Sequence, residues 1–221
     1  MENVFQRVLR KLVNKYGGKI RDGFNRAVAP SSLVGNPEVF DHGVFPWSQK
    51  LAENWEDIQK EALAIFEGKT AVPALGEVSP DHKRLDQKSS WRAFFIWGYG
   101  YRMDVNAALA PKTASYLDGV PGLISAFYSA HEPGTHLPWH RGVTKGIITC
   151  HLGLKIPKDD QRCRIQVGQK EYFWKEGQWF IFDDTYHHEV WNDADETRII
   201  LLLQIKRPLR VPGRWIQNLF F

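Results

Sequence analysis

The spacing of apolar residues divides the chain into a helical first part and a β-rich second part. Apolar side chains recur at helical intervals over 3–16 and over 48–67, which predicts two amphipathic helices. The first of these is expected to end at Gly17 and Gly18, because glycine commonly ends a helix. Pro111 is typical of the first position of a further, short helix.

From residue 123 onward, short strand-like runs alternate with turns, and the aromatic run 91–99 adds an earlier strand. The predicted strands of the second part are 124–130, 147–156, 163–167, 171–174, 179–182, 188–191 and 197–205. The last is apolar and β-branched, as a buried central strand would be. Lys175, Glu176 and Gly177 predict a hairpin turn. This order predicts a mainly β fold with some α: a double-stranded β-helix (cupin-like jelly roll) with the N-terminal helices packed on one sheet.

Length and composition restrict the classes of protein that fit this pattern. A chain of 221 residues suits one domain of ordinary size. The longest apolar run, Ile199–Leu203, is far too short to span a bilayer, and the N-terminus has no apolar stretch typical of a secretory signal. Two cysteines cannot form a disulfide framework, so reduced thiols and a cytoplasmic location are expected.

Positive charge is concentrated at both ends of the chain. Residues 1–30 carry a net charge of +5 and residues 206–221 carry +4, whereas the whole chain carries only +4. Both ends also contain apolar and aromatic residues. We therefore predict a basic amphipathic arm and connector over 1–45, a catalytic domain over 46–208 and a basic aromatic tail over 209–221. Such ends suit either peripheral contact with the inner, anionic face of a membrane or packing on the domain; no nucleic acid is expected.

Histidines are the most informative polar residues, because five of the eight fall in two short clusters. The first cluster ends at His140, and His188 lies in the second, 48 residues further on. Arg198 follows His188 by ten residues, which places it on the next predicted strand. In an oxygenase jelly roll, two histidines and a carboxylate hold Fe(II), and a planar guanidinium suits the carboxylate of a co-substrate. Here Gly142 stands where that metal-binding carboxylate is expected.

Three segments together resemble the aspartyl/asparaginyl β-hydroxylase family. They are HEPGTHLPWHRG, HLGLKIP and WKEGQWFIFDDTYHHEVWNDADETRIILLLQIKRP. The resemblance implies a dioxygenase (hydroxylase) that depends on Fe(II), 2-oxoglutarate and O2. The family includes peptidyl Asp/Asn hydroxylases and lipid A acyl-chain hydroxylases.

The resemblance also implies roles for individual residues. His140 and His188 match the iron-binding histidines, and Arg198 matches the arginine that binds the distal carboxylate of 2-oxoglutarate. Ser129 matches a serine that assists this arginine, and His151 matches a histidine near the other carboxylate. The peptidyl enzymes also have glycine at the position of Gly142, so two histidines suffice for them. Trp91 matches a tryptophan near the substrate.

Two departures from the family pattern concern the substrate and the co-substrate. Thr149 replaces an arginine near the co-substrate, which leaves that carboxylate less well neutralised, and Ile147 replaces an arginine that holds an acidic substrate side chain. The change at residue 147 and the basic, apolar ends look closer to the lipid A hydroxylases, and the expected substrate is the acyl chain of a lipid or a peptidyl Asp or Asn. Two alternatives remain: hydroxylation of a free amino acid or small metabolite, and a catalytically silent metal-binding jelly roll that acts as a sensor.

Overall fold

The computed structural model describes residues 18–68, 70–79, 82–86 and 88–218. The predicted helix over 3–16 lies outside these ranges, and the described chain is helical over 18–28 (α1), beyond the predicted stop. The remaining helices are α2 (Trp47–Glu53), α3 (Trp55–Phe66), α4 (Leu75–Val78), α5 (Asp104–Ala107), α6 (Pro111–Leu117) and α7 (Gly213–Asn218).

Eleven strands are present in the described part of the chain. They are β1 (Val39–Phe40), β2 (Trp91–Gly98), β3 (Tyr101–Arg102), β4 (Leu123–His131), β5 (Thr135–His140), β6 (Ile147–Lys155), β7 (Cys163–Val167), β8 (Lys170–Phe173), β9 (Trp179–Phe182), β10 (His188–Asn192) and β11 (Arg198–Lys206). They form a seven-stranded sheet in the order β1-β9-β6-β11-β4-β2-β3 and a four-stranded sheet in the order β5-β10-β7-β8.

Strands β4 to β11 form the double-stranded β-helix that the sequence predicts. Four of them, β9-β6-β11-β4, lie side by side in the large sheet, and the other four make up the small sheet. All strand pairs are antiparallel. One apolar core contains residues of both sheets, such as Ile200 and Phe180 of the large sheet and Ile165 and Val190 of the small one. Polar side chains on these inner faces are therefore enclosed between the sheets.

The helices before the β-helix are held by specific polar contacts. Glu61 of α3 accepts hydrogen bonds from the backbone amides of Lys112 and Thr113, at 2.8 and 2.9 Å, and so caps the N-terminus of α6. Apolar residues of α3 at helical spacing, Ile58, Ala62 and Ile65, are buried, and the helix packs against β6 and α6. The predicted packing of helices on one sheet is thus confirmed.

The structure corrects several local predictions. The predicted helix over 48–67 is two helices, because Asn54 between them leaves the helical conformation. The segment Thr135–His140 is strand β5, which is not among the predicted strands. The turn at Gly177 crosses from one sheet to the other, since β8 pairs with β7 and β9 pairs with β6. The hairpin lies instead at Gly168, whose positive φ of 59° suits glycine.

The chain separates into two compact units. The jelly-roll unit comprises the described parts of 37–142 and 147–206, and the terminal unit comprises those of 1–36, 143–146 and 207–221. In the terminal unit, Arg207 is buried and donates to the carbonyls of Lys145 and Gly35 at 2.6 and 2.9 Å. The domain boundaries expected at 45 and 208 remain predictions.

Gly153 of β6 offers a direct test of how closely the crossover at Gly177 packs. The Gly177 amide donates to the Gly153 carbonyl at 2.9 Å, and a Cβ on residue 153 would collide with the backbone carbonyl of Lys175. We expect Gly153→Ala to lower the free energy of unfolding by about 1–3 kcal/mol in urea titrations, because backbone must move. Gly98→Ala in β2 is the control: its Cβ would meet nothing nearer than the Met103 sulfur at 3.8 Å. Equal stability of the two variants would contradict this account.

Candidate functional site

His140 and His188 lie side by side on neighbouring strands of the small sheet. They are paired directly across β5 and β10, and their ring centroids are 4.1 Å apart. His188 is 6% exposed, whereas His140, at the end of its strand, is only half-buried. The structure therefore brings together two histidines separated by 48 residues in the sequence. One metal ion can be shared by two rings this close.

The hydrogen bonds of the two rings determine which nitrogen is available to a metal. Nδ1 of His140 lies 2.8 Å from the Pro138 carbonyl, and Nδ1 of His188 lies 2.9 Å from the Tyr186 carbonyl. A carbonyl oxygen can only accept, so we assign the proton of each neutral ring to Nδ1. The lone pair is then on Nε2 in both rings, which is the form that a metal ligand requires.

The Asp184 side chain occupies the space that a third ligand at residue 142 would need. The Gly142 amide donates to the Asp184 backbone carbonyl at 2.7 Å, and a Cβ on residue 142 would collide with the Asp184 carboxylate. One carboxylate oxygen of Asp184 also accepts a hydrogen bond from the Thr149 hydroxyl at 3.1 Å. Among the residues that the structure describes, no group of three His, Cys, Asp or Glu side chains is arranged to hold a metal ion. Within the described ranges, the candidate metal site therefore consists of two imidazoles.

Arg198 is a buried cation at the start of β11. It is 1% exposed, and within the described ranges no carboxylate is in ion-pair contact with it. Burial lowers the pKa of Arg198 to about 10, so the guanidinium keeps its charge at neutral pH. An enclosed charge without a counter-ion is costly. The arrangement therefore suits an anionic ligand, and a carboxylate matches the planar guanidinium.

Trp174, which follows strand β8, connects Arg198 to His151. Its ring lies under the guanidinium, at 4.5 Å from the Arg198 Cζ, a cation–π contact. Its indole N–H donates to Nδ1 of His151 at 3.3 Å. Because an indole nitrogen can only donate, Nδ1 of His151 must carry the lone pair and Nε2 the proton. His151 therefore has a donor on the nitrogen that does not face Trp174, which suits an anion or a keto oxygen.

Ser129 and Trp91 lie on the same face of the large sheet as Arg198. The Trp91 indole N–H donates to the Ser129 hydroxyl oxygen at 2.8 Å, and this hydroxyl is fully buried. The serine keeps its own proton to donate to a ligand. Trp91 is only 7% exposed and packs edge-to-face against the His131 ring. The structure thus places Trp91 beside the serine, with β4 between Trp91 and Arg198; its contact with substrate remains a prediction.

The buried imidazoles are neutral because of their surroundings. Burial, the nearby His140 and, to a smaller extent, His187 lower the pKa of His188 to about 4, despite the hydrogen bond to the Tyr186 carbonyl. Burial and the Arg198 charge hold the pKa values of His131 and His151 well below their usual range. Neutral rings are what a metal site and an arginine-centred anion site both need.

The other histidines and acids of the two clusters lie elsewhere. His136 is on the outer face of the small sheet, where its Nε2 lies 2.6 Å from a Glu189 carboxylate oxygen. His187 is exposed and stacks on Trp139 with ring centroids 5.7 Å apart. The carboxylate of Asp183 accepts from the Thr185 amide and hydroxyl and so shapes the turn before His188.

Sequence reasoning missed three contributors to the site. The sequence identified neither Trp174 nor His131 as a site residue, and it gave no indication of the steric link between Asp184 and Gly142. Only the alternation of side chains along β4 could have indicated that His131 shares a face with Ser129. Cys150 is fully buried and faces away from His151, as expected, and burial raises the pKa of its thiol.

Comparison with known proteins agrees with this geometry. Residues 52–208 match the family described as aspartyl/asparaginyl β-hydroxylase. An ornithine lipid ester-linked acyl 2-hydroxylase of Rhizobium tropici is 35% identical over 183 residues, covering 83% of this chain and 65% of that protein. The human aspartyl/asparaginyl β-hydroxylase is 35% identical over 171 residues, covering 74% of this chain and 21% of that protein. The chain therefore spans less than two thirds of the length of either relative.

Among solved structures, a Pseudomonas putida prolyl-4-hydroxylase overlaps with a TM-score of 0.48 at 16% identity, covering 71% of this chain and 88% of that one. This overlap carries no information about activity. Among the described residues, no helix has both the length and the apolar character that crossing a membrane requires.

The buried imidazoles predict a dependence of stability on pH. Below the ordinary histidine pKa of 6.5, the unfolded chain binds protons at His131, His151 and His188, whereas the folded chain resists them. The free energy of unfolding of the metal-free protein should therefore fall as pH drops from 6.5 toward about 4. Each ring contributes a slope of up to about 1.4 kcal/mol per pH unit. Urea titrations at several pH values should show that the free energy of unfolding depends on pH less steeply, by about this amount, in His151→Phe than in the wild type. An unchanged pH dependence would contradict a buried, neutral His151.

Proposed function

Because the chain belongs to the aspartyl/asparaginyl β-hydroxylase family, we propose that it is an Fe(II)- and 2-oxoglutarate-dependent dioxygenase that hydroxylates an unactivated C–H bond. The observation that carries this proposal is the buried Arg198, without a carboxylate partner among the described residues, in the same interior as two histidines with Nε2 lone pairs. A metal bound by the two histidines and a dicarboxylate bound by Arg198 would together satisfy both groups. A metal-binding sensor would have no need for the buried guanidinium.

The residues present fit iron and the 2-oxo acid without a third protein ligand. His140 and His188 would hold the metal through Nε2, and Arg198 with Ser129 would bind the distal carboxylate. His151 would donate from Nε2 to the end of the co-substrate that chelates the metal. When bound, iron with 2-oxoglutarate and O2 inserts one oxygen atom into the C–H bond, places the other in succinate and releases CO2.

The remaining side chains maintain this arrangement. Trp174 fixes the tautomer of His151 and packs under Arg198, so it orients two co-substrate contacts at once. Trp91 orients the Ser129 hydroxyl. Buried aromatic rings, including Phe180 and Phe182, surround His151 and exclude water from the reacting groups. Asp184 fills the space next to Gly142 and keeps a side-chain ligand out of that position.

We propose a lipid acyl chain as the substrate. By resemblance, Ile147 stands where the peptidyl enzymes carry an arginine that holds the acidic substrate side chain. Thr149 stands where they carry an arginine near the co-substrate, and its hydroxyl donates to the Asp184 carboxylate. An acidic substrate side chain would therefore lack a cationic partner at residue 147. A relative named for acyl-chain hydroxylation matches 83% of this chain. Peptidyl Asp/Asn and small metabolites are the outcomes that the substrate experiment below distinguishes.

We also propose that the terminal unit contacts an anionic membrane at the inner face, as a peripheral protein would. Among the described residues of this unit, five large apolar side chains are exposed: Ile20, Leu33, Val143, Val211 and Trp215. Exposed cations lie among them, including Lys19, Arg210 and Arg214. Apolar groups that enter the headgroup region beside lysine and arginine are typical of reversible attachment to anionic lipid. Such attachment would bring a lipid substrate to the enzyme.

The first experiment tests the metal and co-substrate site. Incubated without oxygen, the protein with Fe(II) and 2-oxoglutarate should give the weak visible band of a chelated 2-oxo acid, and it should release succinate when O2 is admitted. His140→Ala should abolish both signals, and Arg198→Gln should weaken 2-oxoglutarate binding by a factor of roughly 100 or more, because a buried charge pair is lost. His136→Ala, on the outer face of the same strand, is the matched control and should keep both. Metal binding without a band in the wild type would favour the sensor.

The second experiment tests the lipid substrate and the membrane contact together. Vesicles that contain anionic, acylated lipid should sediment with the full chain at low salt, and binding should weaken as salt is raised. Trp215→Ala combined with Arg214→Glu should reduce binding, whereas Tyr101→Ala, an exposed aromatic of the jelly-roll unit, should not.

Mass spectrometry of the incubated lipid tests the substrate and should show a gain of one oxygen on the acyl chain. A gain of oxygen on Asp- or Asn-containing peptides instead, or no binding at low salt, would overturn the lipid proposal.

A further inference from the structure

His131, the last residue of β4, has an enclosed imidazole ring. It is 2% exposed, and neither of its ring nitrogens has a partner among the described residues. Among the described residues, only four buried side-chain nitrogen or oxygen atoms lack a hydrogen-bond partner. Three of them are the two ring nitrogens of His131 and Nε of Arg198. The fourth is Oδ1 of Asn192, whose amide donates to the backbone carbonyl of His131 itself. The buried polar atoms without a hydrogen-bond partner are thus concentrated around His131 and Arg198.

The strand register places these groups around the same part of the interior. His131 is paired directly with Arg198 on β11 on one side and with Trp91 on β2 on the other. Directly paired residues of neighbouring strands point to the same face of a sheet. Ser129 precedes His131 by two residues on β4, so it shares that face as well. The imidazole therefore lies beside both residues that are proposed to bind the distal carboxylate.

The chemistry of this imidazole suits an anion. Burial and the adjacent guanidinium keep His131 neutral, since both hold its pKa well below the ordinary value. A neutral ring carries one N–H donor, which can serve a carboxylate without adding a second buried cation. A hydrocarbon side chain of the same size would fill the space without leaving two nitrogens unpaired. The unpaired nitrogens therefore point to a ligand that supplies the missing partner.

We propose that His131 is a ligand-binding residue whose ring N–H donates to the distal carboxylate of the 2-oxo dicarboxylate, beside Arg198 and Ser129. This inference rests on the proposed function, and it goes beyond it by adding a third donor to the carboxylate site. It also predicts that this chain discriminates strongly between 2-oxo acids that carry a distal carboxylate and those that do not.

The test compares two ligands that differ only at the distal end. 2-Oxoglutarate and 2-oxopentanoate share the metal-chelating end and the chain length, but the second carries a methyl group in place of the distal carboxylate. Binding to the full chain loaded with redox-inactive Mn(II) is measured by calorimetry. His131→Leu should weaken 2-oxoglutarate binding by roughly 10- to 100-fold, the loss of one charge-assisted hydrogen bond, and leave 2-oxopentanoate binding within about twofold. His131→Gln, which retains an N–H donor, should recover most of the affinity.

Other results would overturn either the role of His131 or the proposed function, and the two cases can be distinguished. Unchanged 2-oxoglutarate binding in His131→Leu, or equal weakening for both ligands, would overturn the proposal and indicate packing or a buried water. A wild-type chain that binds metal but not 2-oxoglutarate would overturn the proposed function itself. Should His131→Leu fail to fold, nitrogen-15 spectra of the histidine rings in the wild type decide the question. The His131 N–H must shift when 2-oxoglutarate is added but not with 2-oxopentanoate; no such difference overturns the inference.

Discussion

The positive charge of Arg198, enclosed between two sheets, constrains the rest of this site. A buried ion must be compensated, and no acid among the described residues is in ion-pair contact with it. Its neighbours reduce the cost without removing it: the Trp174 ring offers a π face, and His131 and His151 stay neutral. The protein thereby holds an attractive potential for an anion in its interior. The proposed binding of the co-substrate therefore depends on a charge that folding has to bury.

The jelly-roll topology explains how residues from distant parts of the sequence meet around this charge. The strands of the β-helix divide between two sheets, and alternate residues on each face inward. The large sheet carries the side chains proposed to bind an anion, namely Ser129, His151 and Arg198, whereas the small sheet carries His140 and His188. The two halves of the chemistry are thus carried by two separate layers. A ligand that chelates a metal at one end and carries a carboxylate at the other bridges both layers.

Much of this arrangement was predictable from the sequence. Most of the β-strands are recognisable from the length of their apolar runs and from their β-branched residues. His140, His188 and Arg198 fall at a spacing typical of the family. The contacts that orient these residues were not predictable, because they join segments that no local pattern relates. Trp174 reads as core in the sequence, yet it contacts both His151 and Arg198. Strand β5 was missed because proline and glycine around it outweighed a short alternation that only pairing with β10 stabilises.

The contact between Gly142 and Asp184 has a consequence for protein engineering. Introducing an acidic metal ligand at residue 142 by a single substitution would place new atoms inside the Asp184 side chain. The Asp184 carboxylate would have to rotate away, which would break its hydrogen bond with the Thr149 hydroxyl. The two positions are therefore coupled, and libraries that aim to convert this centre to a different coordination chemistry should vary both codons together.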